Sequence, residues 1–364
     1  MPMKNRKTNI LLLALGVCLG VAPIRAQQAP DTKVILITLD GLRWQELFGG
    51  ADSLLIGNKD YVDDVEMLRK SFWKESPEQR REALMPFFWK EVSQWGQLHG
   101  NRKYGSQVDL TNGMWFSYPG YNEILTGRAD DARITSNDKV NNPNTTILER
   151  YNNTPGGKGR VAAFGSWDVF PFIINEERSG VPVNAGYDAA HGELTQREEF
   201  LNRLQQQIPG PWGSVRHDAF THHYALEHMK KNRPDLVYIA YGETDDFAHD
   251  GDYRAYLKAA HNTDGLIREL WEFTQEDDHY RDRTVFLIST DHGRVTQPLD
   301  HWRGHGSDVK GAHKVWLVAF GKNIRPLGEL RDREPLFSNQ IAPTVMELLG
   351  LAVPQEMEGK PIKF

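Results

Sequence analysis

Cysteine is almost missing from this chain: Cys18 is the only one among 364 residues. No disulfide can form within the chain, so its stability must rest on a core or on bound metal. A long apolar run is missing too. The stretch 10–21 is apolar, but it falls short of the roughly 20 residues that span a bilayer. Positive charge is scarce: 43 Lys and Arg stand against 49 Asp and Glu. That balance argues against a nucleic-acid surface or an anionic-membrane surface. It leaves room for a small anionic substrate, because a local cation can invert the field. Internal repeats, low-complexity tracts and long linkers are also lacking. One large domain with insertions is the simplest organisation.

The first 26 residues have the pattern of an export signal. Lys4, Arg6 and Lys7 precede the apolar stretch, and Ala26 suits the position before a cut. Cys18 invites a lipid anchor, but Val17 before it is bulky for that signal. An exported protein is expected, periplasmic or extracellular, with no transmembrane anchor once the signal is removed. The segment carries four basic residues and no acid, so 43 less four leaves 39 against 49, a balance of −10.

Five short apolar runs punctuate the rest. "VILITL" (34–39) ends at Asp40–Gly41, and "LVYIAY" (236–241) ends at Gly242. The others are 161–164, 285–289 and 315–320. Continuous apolar strands suit a parallel sheet covered on both faces. Helical patterns at 217–231 and 252–274 lie between strands. This alternation predicts an α/β fold: a doubly wound, mostly parallel sheet with helices on both faces. Residues 49–100, polar and rich in Trp, read as helical insertions above the sheet. Residues 137–159, rich in Asn, Pro and Gly, read as loop.

In open α/β sheets, ligands bind beyond the carboxyl ends of the strands. Three polar clusters follow such ends. Asp40 closes the first run; alone, an Asp before Gly is as well explained by a turn. "GETDDFAHDGD" holds Asp245 and His249 four apart, able to share a helix face and grip one cation. Asp246 and Glu243 compete with them, and a solvated acidic loop is the bland alternative. His261 and Asp264, further along, read as surface or capping groups. "STDHGR" ends its strand on Asp291–His292, a pair expensive to bury unless a cation meets it. Downstream, "LDHWRGHGSDVKGAH" offers His301, His305 and His313. His305, followed by Gly306, best suits a loop approaching a metal.

"FSYPGYNEILTG" (116–127) is the candidate nucleophile segment. Ser117 can cap a helix over 119–125 that Gly127 closes. The amino end of such a helix favours a phosphoryl group. A plain capping serine explains the stretch equally well. "GSWDVF" (165–170) can shape a pocket, but core packing is the preferred reading.

These pieces, in this order, resemble the alkaline phosphatase superfamily, nearest its type I phosphodiesterase and nucleotide pyrophosphatase branch. "VILITLDGLRW" is similar to the opening strand and first Asp ligand, and Ser117 precedes Thr126–Gly127 by the branch's nucleophile spacing. "TDDFAH" matches its Asp-x-x-x-His pair, "STDHG" its Asp–His pair, and "SNQIAPTVMELLGL" (338–351) its closing helix. The resemblance implies an alkaline phosphatase-like catalytic domain over 27–364. It implies two divalent ions, zinc first, with manganese or iron as alternatives. One site would take Asp245, His249 and His305, and the other Asp40, Ser117, Asp291 and His292. Ser117 would attack phosphorus and form a phosphoserine on a small phosphorylated substrate, a monoester or a diester. Asn137 lies one position from the branch's oxygen-binding Asn.

Two departures qualify the resemblance. Sulfatases of this superfamily carry Arg four positions after the nucleophile for its conversion to formylglycine, and here Tyr121 stands there. A serine-type sulfatase is therefore a second reading. A non-catalytic protein that captures phosphorylated ligands on the same fold is a third. The phosphodiesterase branch usually has Thr as nucleophile and Asn-His after the Pro, where this chain has Ser117 and Gly120–Tyr121.

Overall fold

The computed structural model describes residue 2 and residues 31–364. The proposed export signal and Cys18 lie outside the described residues. Among those described, no helix is long and apolar enough to cross a membrane.

The first apolar run forms the strand Lys33–Leu39, and every one of its residues is buried. β-branched and apolar side chains alternate across its two faces with the period of a strand. Ile35, Ile37 and Leu39 pack into one hydrophobic cluster, while Val34 and Leu36 pack into another. This strand is central in an eight-stranded sheet. From edge to edge the order is 328–329, 97–99, 317–321, 284–289, 33–39, 236–241, 161–165 and 183–185. The five strands from 284–289 to 183–185 run parallel. The strand Leu317–Gly321 is antiparallel to both of its neighbours. Helices cover both faces. Residues of the Asp218–Asn232 and Tyr253–Glu276 helices join the first cluster. Residues of the Ser117–Thr126 and Ile341–Leu348 helices join the second. The fold is α/β, with a mostly parallel, doubly covered sheet.

Three expectations need correction. The run 315–320 is not one strand: Lys314–Val315 pairs in a separate three-stranded sheet, and Leu317–Gly321 joins the main one. Trp316 sits at the break, fully buried, with its indole N–H donating to the Leu42 carbonyl at 2.7 Å. The segment 137–159 contains a helix, Ile147–Asn152, because Thr146 caps it by accepting from Glu149 N at 3.2 Å. The insertion 49–100 does supply helices, at Val65–Phe72 and Pro77–Leu84, but it also ends in a strand, Gln97–His99, that enters the main sheet.

Asp264 shows how that insertion is docked. It is a buried capping group, not a surface residue, and it accepts from Phe87 N at 2.7 Å and Phe88 N at 3.0 Å. His261, one turn away, meets the Leu84 carbonyl at 2.7 Å. Asp264→Ala would strand two backbone donors, a loss of about 1–3 kcal/mol for each buried unsatisfied group. Urea unfolding should register a lowered midpoint, and Asp264→Asn, which keeps one acceptor oxygen, should recover part of the difference.

Candidate metal centre

The register of three parallel strands assembles the site. Leu39 pairs with Tyr241, and Thr38 pairs with Ser289. The three strands therefore finish level, and the loops that follow deliver Asp40, the Glu243–Asp250 helix and Asp291–His292 to one edge. Close approach needs small residues. Gly41 has φ +59°, and a Cβ there would stand 2.8 Å from Asp245 Oδ1. Gly120 lies so near the 291–293 turn that a Cβ would meet the Asp291 carbonyl oxygen at 2.2 Å.

Asp245 and His249 share one face of their helix, with His249 Nε2 3.2 Å from Asp245 Oδ2. His305 Nε2 lies 3.1 Å from His249 Nε2 and 3.9 Å from Asp245 Oδ1. A second group adjoins the first. His292 Nε2 is 3.3 Å from Asp40 Oδ1, 3.6 Å from Asp291 Oδ2 and 3.5 Å from Ser117 Oγ. It is also 3.4 Å from Asp245 Oδ1, so the two groups abut. His313 points elsewhere, 3.9 Å from Asp109, and His301 sits in the short helix Leu299–Arg303. Glu243 bonds His217 at 2.7 Å, and Asp246 lines the cavity beside Asp245.

Ser117 departs from the capping expectation. The helix begins at Ser117 itself, with Phe116 as the capping position and no side-chain cap bond. Its hydroxyl is thereby left to face His292. Gly127 closes the helix in the left-handed conformation, as expected. Asn137 Oδ1 accepts from Tyr118 N at 2.9 Å, and the residue also lines a cavity of about 140 Å³ with Ser117, Asp40 and Trp167. The "GSWDVF" stretch divides accordingly: Val169 and Phe170 are core, but Trp167 forms cavity wall.

The residues fit divalent ions on the pattern of their unmade bonds. Asp40 Oδ2 accepts from the Tyr121 hydroxyl at 2.7 Å, and Asp291 Oδ1 from Gly41 N at 3.2 Å. The other oxygens, Asp40 Oδ1 and Asp291 Oδ2, are buried without a hydrogen-bond partner. Orphaned buried acceptors of this kind are costly. Burial, and then the charges of Asp245 and Asp40 respectively, push the Asp40 and Asp291 carboxyls well above the usual range. Burial opposes ionisation of Asp245 as well, but the Arg294 guanidinium, with the bond to His249, outweighs it and holds that carboxyl well below the usual range. Burial lowers His292 and His305, the latter strongly, which keeps both imidazoles neutral with a lone pair to offer. Carboxylate and neutral imidazole donors gathered around orphaned oxygens are a donor set for zinc-like ions.

The fold is α/β, and this donor set is one that could hold divalent ions. Residues 192–353 match the model of the Metalloenzyme superfamily, a span that includes Asp245, His249, Asp291, His292 and His305. Over 140 residues the chain is 29% identical to 2,3-bisphosphoglycerate-independent phosphoglycerate mutase of Onchocerca volvulus, covering 38% of this chain and 25% of that protein. The chain thus spans about a quarter of the length of the curated relatives it matches. The crystal structure of wild-type alkaline phosphatase PafA aligns with TM-score 0.61 at 12% identity, over 92% of this chain and 98% of that one. Lipoteichoic acid synthase LtaP from Listeria monocytogenes aligns with TM-score 0.57 at 13% identity, over 91% of this chain and 75% of that one. Identities this low speak to the fold. Residues 192–353 are thus similar to the Metalloenzyme superfamily, and nearly the whole chain shares the fold of these solved structures.

Two residues of the site escaped the sequence reading. Tyr121 was legible only as a missing Arg, and its bond to Asp40 needs the fold to be seen. Arg294 stands in plain view after "DHG", but nothing in its spacing marks it as buried against Asp245. Tyr121→Phe should leave Asp40 unsupported and weaken metal retention by about 10–100-fold, the usual effect of losing an outer hydrogen bond to a ligand. Competition with a chromophoric chelator measures it.

Proposed function

We propose that the protein is an exported two-metal phosphohydrolase that cleaves phosphate esters through a phosphoserine on Ser117. Asp245, His249 and His305 would hold one ion; Asp40, Ser117, Asp291 and His292 would hold the other. Zinc is the preferred metal. When bound, two divalent cations supply the charge that favours the Ser117 alkoxide and offsets the phosphoryl oxygens. The observation that carries the reading is the Ser117 hydroxyl, free of any cap bond and 3.5 Å from His292 Nε2, at the amino end of a ten-residue helix. That helix end favours an anionic phosphoryl group.

In the first half-reaction the Ser117 oxygen gives up its proton and bonds to phosphorus. The bond from phosphorus to the ester oxygen breaks, and the alcohol leaves with a proton. Water then cleaves the phosphoserine and regenerates the hydroxyl. With its Oδ1 engaged by Tyr118 N, Asn137 would offer its amide N–H to a phosphoryl oxygen.

Within this reading diesters are the better substrates. The cavity lining offers the neutral groups Asn137, Ser214 and Trp167, together with the acid Asp246, and among the described residues it includes no Lys or Arg. A monoanionic diester suits such a lining better than a dianionic monoester, and Trp167 gives its second substituent an apolar wall. A sulfatase reading is disfavoured because Tyr121, in place of the Arg of the conversion signal, is committed to Asp40.

The test is metal analysis followed by parallel assay of nitrophenyl phosphate, bis-nitrophenyl phosphate and nitrophenyl sulfate. Diester turnover should dominate, and chelation should abolish it until zinc is restored. Ser117→Ala should cut turnover at least about 1,000-fold with the fold intact. Dominant sulfate turnover would replace the reading with a sulfatase. No turnover of any ester by metal-loaded protein would replace it with a binding protein.

A further inference from the structure

Arg294 is fully buried, two residues beyond His292. Its Nη2 bonds Asp245 Oδ1 and reaches the Asp245 carbonyl at 3.4 Å, while Nη1 lies 3.5 Å from the Trp302 carbonyl. The loop that carries it is braced from behind. Gln45 Nε2 donates to the Arg294 carbonyl at 3.3 Å. Arg43, itself buried and paired with Glu46, donates to the Val295 carbonyl at 3.2 Å and to Thr296 Oγ1 at 3.0 Å. A guanidinium enclosed this way must be paired, and its Nη2 holds Asp245 by both its carboxylate and its carbonyl while Nε has no partner. Asp245 is thereby divided. Oδ2 faces His249 at 3.2 Å, while Oδ1, 3.4 Å from His292 and 3.9 Å from His305, is already taken by Arg294.

We propose that Arg294 is a positioning residue that confines Asp245 to a single oxygen toward the ion shared with His249 and His305, and sets a permanent positive charge beside that ion. The inference rests on the two-metal reading above. Its consequence is an unequal pair of sites. The Asp40–Asp291–His292 group has two carboxylates, neither of them bonded by a guanidinium, and Arg294 acts on it only at longer range, so it loads first and holds its ion more tightly.

Zinc titration of metal-free protein against a chromophoric chelator tests this. Wild type should show two separated steps, and His249→Ala should delete the weaker one alone. Arg294→Gln should tighten the weaker step about tenfold and change the tight step much less, a size typical of changes just outside a ligand shell. The same variant should melt lower without metal and gain more in Tm on zinc addition than wild type does. Arg294→Lys keeps the charge but not the planar guanidinium, so its weaker step should fall between the two; it also serves if the Gln variant does not fold. A weaker step that is unchanged or loosened in a folded Arg294 variant overturns the role of Arg294 while leaving the metal centre standing. Failure of wild type to bind any ion overturns the metal reading and this inference with it.

Discussion

Three carboxylates crowd one end of the sheet beside three imidazoles, and repulsion among the acids, should they ionise, is the constraint around which the rest is organised. Asp40 and Asp291 each have a buried oxygen that nothing in the protein satisfies. Like charges about 4 Å apart repel by about 4 kcal/mol at an effective dielectric of 20. That is a large part of the roughly 5–15 kcal/mol by which a domain is stable at all. A protein gains nothing in stability from such an arrangement by itself. It is tolerable as a receptacle for cations, which turn each repulsion into a shared attraction.

The fold meets that constraint with rigid parts. Three adjacent parallel strands end level, so no long loop has to bring the acids together. Gly41 and Gly120 remove the two Cβ atoms that would hold the turns apart. The nucleophile candidate comes from the other cluster of the core, on a helix whose Tyr121 also supports Asp40. One helix therefore places both the hydroxyl and a support for one of its neighbouring acids. A shift of that helix would disturb attack and ion binding together, which ties the packing of the second cluster directly to chemistry.

Much of this was legible because strand ends are. An apolar β-branched run that stops on Asp-Gly or Asp-His-Gly announces both a buried strand and an unusual polar group, and Asp40, Asp291 and His292 were found that way. Asp245 and His249 were legible from helical spacing. The choice of His305 over His301 and His313 could not come from spacing, because it depends on how the 304–306 turn folds back over His249. Ser117 was readable as a residue type but not as a free hydroxyl, since its helix begins earlier than the pattern suggests, with Phe116 extended at the capping position. The helix at 147–152 hid in a segment rich in Asn and Gly, where one capping threonine outweighed the composition. The strand Val183–Ala185 hid because three residues at a sheet edge carry too little pattern to read.

Each acid of the centre has one oxygen held by the protein, but the three holders differ in kind. A phenol donates to Asp40, a backbone amide to Asp291, and a guanidinium to Asp245. The first two are neutral and leave the full negative charge of their carboxylates for an ion. The third cancels most of it. Counted formally, the Asp40–Asp291–His292 group presents two negative charges, while the Asp245–His249–His305 group, with Arg294 included, presents none. Two ions held in such a cage would not be equivalent. An ion near Ser117 would sit in the stronger field, suited to an alkoxide and a phosphoryl oxygen. The other would sit in a weaker field, beside an exposed His249, where exchange with solvent is easiest. On the proposed reading, such a centre would divide attack and release between its halves by charge, not by ligand number.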